Sequence, residues 1–153
     1  MKQLIKKFAI LTLAVALLAT TTITAKAAEG EHVVVIKSVS VKKVNKEGEA
    51  WDINNGAPDL MVVVRNSSER DSKEFKTEEK EDTYAANFNA VTTVKLRADQ
   101  ELTIEVIDVD AVNNDLIGKM TRKFTAEELK EGKVELKNFG QVIRLELEIK
   151  SLK

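Results

Sequence analysis

Alternation of apolar and polar residues with a period of two recurs along most of this chain, and it restricts the fold more than any other feature. Val33, Val35, Val39 and Val41 alternate with polar or small residues over much of 32–44. Phe88, Ala90, Thr92, Val94 and Leu96 follow the same rule, as do Leu102, Ile104 and Val106, and again Ile143, Leu145, Leu147 and Ile149. Successive side chains of a strand point to opposite faces, so this pattern predicts half-buried antiparallel strands. Leu60 to Val64 is a short apolar run, and Met120, Val134 and Leu136 sit in weaker strand candidates. The segments 32–44, 59–66, 72–79, 87–96, 101–108, 116–123, 133–138 and 141–151 predict about eight strands. Many short strands separated by Gly, Asn, Asp and Pro turns indicate an all-β sandwich or barrel.

One short helix is expected near 126–131. Thr125 and Glu128 form a capping box, in which each side chain satisfies an N–H at the helix start, and Gly132 supplies the stop. The segment 69–82 is dense in both charges and reads as an exposed edge strand plus loop, protected by charge from unwanted pairing.

The N-terminus carries a different signal. Lys2, Lys6 and Lys7 precede an apolar stretch from Phe8 to Leu18, and a Thr-rich stretch then ends at Ala25-Lys26-Ala27. A basic start, a short apolar run and an A-x-A site describe a secretory signal peptide, residues 1–27. The apolar run is too short for a spanning helix, which needs roughly 20 residues. Residues 28–153 are then expected to form one domain that is exported, either periplasmic or secreted. The chain has no cysteine, so its core must hold without disulfides. Removing 1–27 takes four lysines and no acid from 24 Lys+Arg and 25 Asp+Glu, which leaves a net charge of −5. An acidic chain with few aromatics is a poor nucleic-acid binder.

Enzyme chemistry finds few parts here. There is no Cys nucleophile and no Gly-rich phosphate loop, and His32, the single histidine, is expected to be a solvated residue at the start of the fold. Trp51 is expected to cap the core beneath the first loop.

Aspartates gather at predicted strand ends. Asp52 and Asp59 bound the loop between the first two strands, and Asp108, Asp110 and Asp115 lie in the loop between the fifth and sixth. Asp and Asn are favoured turn formers, which is a sufficient reason for such loops. They also suit calcium, which takes six to eight oxygen ligands, and Asp108 and Asp110 are spaced so that strand geometry would turn them to one side. An EF-hand is excluded, since position 6 of a loop starting at Asp108 is Asn113 and position 12 is Lys119.

The flanks of these loops resemble the C2 domain family. Ala57-Pro58-Asp59-Leu60-Met61-Val62 is similar to the turn that family writes as PDPYV. Val106-Ile107-Asp108-Val109-Asp110 through Asp115-Leu116-Ile117-Gly118 is similar to its third calcium loop, and Asn87-Phe88-Asn89 is similar to its PxWNE segment. The resemblance implies an eight-stranded antiparallel sandwich that binds Ca2+ through Asp52, Asp59, Asp108, Asp110 and Asp115 and bridges to anionic phospholipid. Leu60-Met61 replaces the usual Pro-Tyr, and Asn87-Phe88-Asn89 lacks the usual Pro, Trp and Glu. Ile53, Val109, Ala111 and Val112 are candidates for an apolar tip that enters lipid. The last strand, 141–151, is a candidate to pair beside the first in a permuted topology. Two other readings stand beside this one: a calcium-stabilised protein- or glycan-binding module of the cell envelope, and a calcium-independent sandwich whose aspartates only make turns.

Overall fold

The computed structural model describes residues 30–51 and 56–152. The predicted signal peptide, 1–27, and Asp52 lie outside the described residues. The described chain forms β1 (His32–Val41), β2 (Leu60–Asn66), β3 (Phe75–Lys76), β4 (Ala85–Leu96), β5 (Glu101–Asp108), β6 (Asp115–Lys123), α1 (Ala126–Glu131), β7 (Lys133–Phe139) and β8 (Val142–Ser151). All pairings are antiparallel. One sheet has the order β4-β1-β8-β7 and the other β3-β2-β5-β6. This is the expected eight-stranded sandwich. β8 does pair beside β1, and it holds an interior place in its sheet.

The core is made where the two inner faces meet. Ile36, Val39 and Leu145 from one sheet pack in one cluster with Val62, Ile104 and Val106 from the other. Truncating a fully buried aliphatic such as Ile104 or Leu145 to Ala costs about 2–5 kcal/mol. β4 shows the clean alternation its sequence predicts, with Thr92, Val94 and Leu96 buried and Val91, Thr93 and Lys95 exposed.

Two strands correct their expected parity. In β1 the residues that enter the core are Val34, Ile36, Val39 and Val41, not an unbroken odd-numbered set. The ladder shifts between Ile36 and Ser38 against both neighbours, and one extra residue at a bulge exchanges the faces of everything beyond it. In β8 Val142 is buried while Ile143 is exposed, next to a second register shift opposite Ser40 and Val41.

The expected strand over 72–79 shrinks to Phe75 and Lys76. The residues before it, 66–72, are bent into turns by bonds from Glu69 N–H to Asn66 O and from Ser72 N–H to Glu69 O. β1 likewise stops at Val41, because Lys42 N–H turns away to Gln141 O at 2.9 Å. His32 is not solvated: it is 6% exposed, since β4 and β8 flank it through Leu96 and Ser151.

The helix is capped as predicted. Thr125 Oγ1 accepts from Glu128 N–H at 3.2 Å, Glu128 Oε2 accepts from Thr125 N–H at 3.0 Å, and Gly132 ends the helix at φ 72°. A close seam joins β6 to the β7–β8 turn of the other sheet. A Cβ on Gly118 of β6 would stand 2.5 Å from Phe139 O, and one on Gly140 would stand 2.5 Å from Ile117 O, so only glycine lets the β7–β8 turn seat against β6. Gln141 N–H donates to Ile117 O across that seam at 2.8 Å.

Candidate metal site

Strand register brings the aspartates to one end. Asp59 directly precedes β2, whose Leu60 is opposite Asp108 of β5, and Asp108 is opposite Asp115 of β6. Three aspartates therefore occupy neighbouring strand ends by pairing alone. The β3–β4 connection reaches the same end, because Leu60 bridges Lys80 and Thr83 N–H donates to Pro58 O at 3.0 Å.

That connection supplies a residue the sequence does not single out. Asp82 N–H donates to Asp59 Oδ1 at 2.7 Å, and Asp82 Oδ1 accepts from Ala57 N–H at 2.8 Å. Asp59 N–H donates in turn to Asp108 Oδ1 at 2.7 Å, and Val109 N–H to Asp59 O at 2.9 Å. A run of carboxylate-to-backbone bonds thus ties the β1–β2 connection, the β3–β4 connection and the end of β5 together in the order Ala57, Asp82, Asp59, Asp108. Asp82 sits at φ 45°, a left-handed conformation that Asp tolerates better than most residues. Its sequence signal is weak: it is the last acid of a charged run, indistinguishable from its neighbours until the fold places it.

The five predicted ligands are not equivalent. Asp108 is 1% exposed, Asp59 is half-buried, and Asp110 and Asp115 are exposed. The strand spacing behind the expected common orientation of Asp108 and Asp110 does not extend this far, because β5 ends at Asp108 and Asp110 lies in the connection beyond it, where its N–H donates to Asn114 Oδ1 at 3.2 Å. Asp52 lies outside the described residues. As they stand, no three His, Cys, Asp or Glu side chains among the described residues enclose a metal position. The donor chemistry is still one-sided. Every acid at this end is a carboxylate oxygen donor with no imidazole or thiolate beside it, which suits a hard cation such as calcium and not zinc.

The acids at this end differ from those on the β7–β8–β1 face in their partners. Among the described residues, Asp59, Asp82, Asp110 and Asp115 join no ion pair. Three glutamates elsewhere are held below their usual range. Lys95 and Arg97 lower Glu31, and Lys137 and Arg144 lower Glu135. For Glu128 burial pushes the other way, and bonds from Thr125 and Arg122 outweigh it.

Trp51 takes its expected place, half-buried against the core, with its indole N–H donating to Lys42 O at 2.9 Å. Apolar side chains also gather at this end: Val112 is 87% exposed and Leu116 is 55% exposed.

A family model of the C2 domain matches residues 32–139, more than half of the chain. Human GIVD cytosolic phospholipase A2 is similar over 84% of this chain and 18% of its own, at 16% identity and TM-score 0.60. A C2 domain of plant extended synaptotagmin 1 is similar over 81% of this chain and 96% of its own, at 20% identity and TM-score 0.57. The calcium-bound pair of C2 domains from extended synaptotagmin 2 gives 82% and 46% coverage, 19% identity and TM-score 0.55. At these identities the likeness is one of fold, and the chain spans less than a fifth of the phospholipase it matches. No curated protein matches it. The family match stops at the end of β7, yet β8 beyond it lies between β1 and β7 and contributes the buried Val142, Leu145, Leu147 and Ile149.

Proposed function

The chain belongs to the C2 domain family, and on that premise we propose that it is an exported, non-catalytic module that binds Ca2+ at its aspartate end and uses it to dock on anionic phospholipid. C2 domains generally bind calcium and phospholipid. Asp59, Asp108, Asp110 and Asp115, with Asp52 from the first loop and Asp82 from the β3–β4 connection, are the candidate calcium donors. The observation that carries this reading is the bonded run of Asp82, Asp59 and Asp108, which gathers acid from two connections and the end of β5 where no lysine or arginine pairs with Asp59, Asp82, Asp110 or Asp115 among the described residues.

Clustered carboxylates repel one another in the absence of a counter-ion, so a divalent cation stabilises the end by neutralising it. A bound calcium keeps coordination positions for outside oxygen atoms, and a lipid phosphate is such a donor. The exposure of Val112, one of the residues expected at the apolar tip, supports contact with the acyl boundary when the headgroups are engaged. Export is supported by the basic start, the short apolar run and the Ala25-Lys26-Ala27 site. Extracellular calcium modules work at dissociation constants of about 10⁻⁴–10⁻³ M, so a site of moderate strength suffices outside the cell.

The test is vesicle binding by residues 28–153. Sedimentation with phosphatidylserine vesicles is expected in calcium, to be lost in chelator, and to be lost in the Asp108→Ala/Asp110→Ala variant. Binding that ignores the chelator sinks the proposal, as does the absence of binding in calcium when the protein is folded.

A further inference from the structure

Residues 42–51 form an arm that, with the start of β6, borders a cleft of about 410 Å³ beside the aspartate end. Asn45, Lys46, Glu47, Trp51, Asp115 and Leu116 line it. The arm is closed on itself. Asn45 Oδ1 accepts the N–H groups of Glu47 and Glu49, both at 3.0 Å, and Asn45 N–H donates to Glu49 O at 2.8 Å. Gly48 takes the left-handed conformation this turn requires, at φ 87°. The arm's base is held by the Trp51 indole N–H on Lys42 O and by Lys42 N–H on Gln141 O, both at 2.9 Å. A wall fixed in this way loses little freedom when a ligand arrives.

The lining has two parts. Trp51 packs partly against the core and also lines the cleft, and because its N–H is engaged by Lys42 O what it contributes to the lining is apolar. Leu116 extends that surface. Glu47 and Asp115 supply carboxylate acceptors, against the single ammonium of Lys46, which pairs with Glu47 at 3.5 Å. The balance is negative, so phosphate, sulfate and uronate ligands are disfavoured. A ligand that suits both parts has a flat C–H face for the indole and hydroxyl donors around its rim for the carboxylates. A pyranose ring has that form.

We propose that this cleft binds a neutral saccharide, with one ring laid on Trp51 and its hydroxyls donating to Glu47 and Asp115. Asp115 also belongs to the candidate calcium group, but Trp51 and Glu47 do not, so saccharide binding persists without calcium and fails or stands apart from the lipid-docking reading.

Trp51 is the only tryptophan of the chain, so no other tryptophan contributes to the emission that reports on this cleft. The full chain, in chelator, is titrated with neutral hexasaccharides of glucose, xylose, mannose and N-acetylglucosamine, with polygalacturonate and with phosphatidylserine vesicles. A saturable emission change is expected with at least one neutral sugar and with neither of the other two probes. Glu47→Ala, a change at an exposed position that leaves the fold intact, is expected to weaken that binding about tenfold through loss of one charge-assisted hydrogen bond. Trp51→Phe, followed by calorimetry, is expected to bind more weakly than the parent. The proposal is overturned if no neutral sugar changes the emission, if polygalacturonate or the vesicles do so in chelator, or if both variants bind the sugar as the parent does.

Discussion

On the outer face of β7, β8 and β1, glutamates stand among lysines and arginines that answer them. Glu135 is directly opposite Glu146, and Lys137 directly opposite Arg144, an arrangement of like charges that would cost stability by itself. Arg144 resolves it by pairing with both glutamates, Lys137 pairs with Glu135 at 2.5 Å, and Lys37 and Lys150 pair with Glu148. Ser38 Oγ donates to Glu146 Oε2 at 2.8 Å. At the loop end the acids are aspartates, and their hydrogen bonds go to main-chain N–H groups. The difference is partly one of reach. A glutamate on a strand extends across the ladder to a cation on the next strand, whereas an aspartate at a strand end is short enough to cap the backbone of an adjoining loop. The glutamates of the sheet face are therefore paired with cations, whereas Asp59, Asp82, Asp110 and Asp115 of the loop end join no ion pair among the described residues.

The contrast can be attacked in order of effect. The largest is expected at the seam that both regions share. Gly118→Ala drives a methyl into Phe139 O and Val142, and should cost about 1–3 kcal/mol by overpacking, read as a lower denaturation midpoint. A neutral result there would mean that the β7–β8 turn is not seated against β6 as described.

Calcium comes next and separates the two regions directly. At ten times its dissociation constant a bound ion adds about 1.4 kcal/mol, which corresponds to roughly 3–8 °C in melting temperature for a chain of this size. That rise should vanish in Asp110→Asn/Asp115→Asn, a variant that should also melt slightly higher than the parent in chelator because repulsion is relieved. The opposite sign in the two conditions is the signature. If the variant keeps the calcium rise, the metal reading of these residues fails.

Thr125→Ala removes the helix cap and should lower stability by about 1 kcal/mol, equally in calcium and in chelator. Arg144→Ala should cost less than about 1 kcal/mol, since its partners are partly exposed, and should likewise be indifferent to calcium. A calcium-dependent loss in Arg144→Ala would show that the two regions are coupled, contrary to the comparison.

Acid gives the smallest effect and a clear sign. Glu128 has its folded pKa lowered, because the bonds from Thr125 and Arg122 outweigh burial. Its contribution is present above the ordinary carboxylate range near pH 4.3 and is lost as pH falls through its lower folded value. Melting curves of the parent and of Glu128→Gln should therefore converge on acidification below that range. Curves that stay parallel would remove Glu128 from the acid response.

Much of this was legible before the fold was known. Strand positions follow from alternation, and the helix with both of its caps follows from Thr125, Glu128 and Gly132. Asp59, Asp108 and Asp115 could be placed at strand ends by their flanks. Three features were not legible. The inward face of β1 changes at a bulge that no residue type announces. His32 looks like a terminal polar residue until β4 and β8 cover it. Asp82 is one acid among many in 69–82, and its bonds to Asp59 and Ala57 depend on where the β3–β4 connection comes to rest.

The sequence by itself determined how many strands form, where the helix starts and stops, and that acids mark particular turns, because propensity, capping and alternation act over a few neighbouring residues. Only the tertiary structure decided that β8 lies between β1 and β7, which residues of β1 face the core, and that Asp59, Asp82 and Asp108 are bonded in one run. Those outcomes depend on register between distant segments, and a one-residue shift in register reverses every face beyond it while leaving the local pattern unchanged.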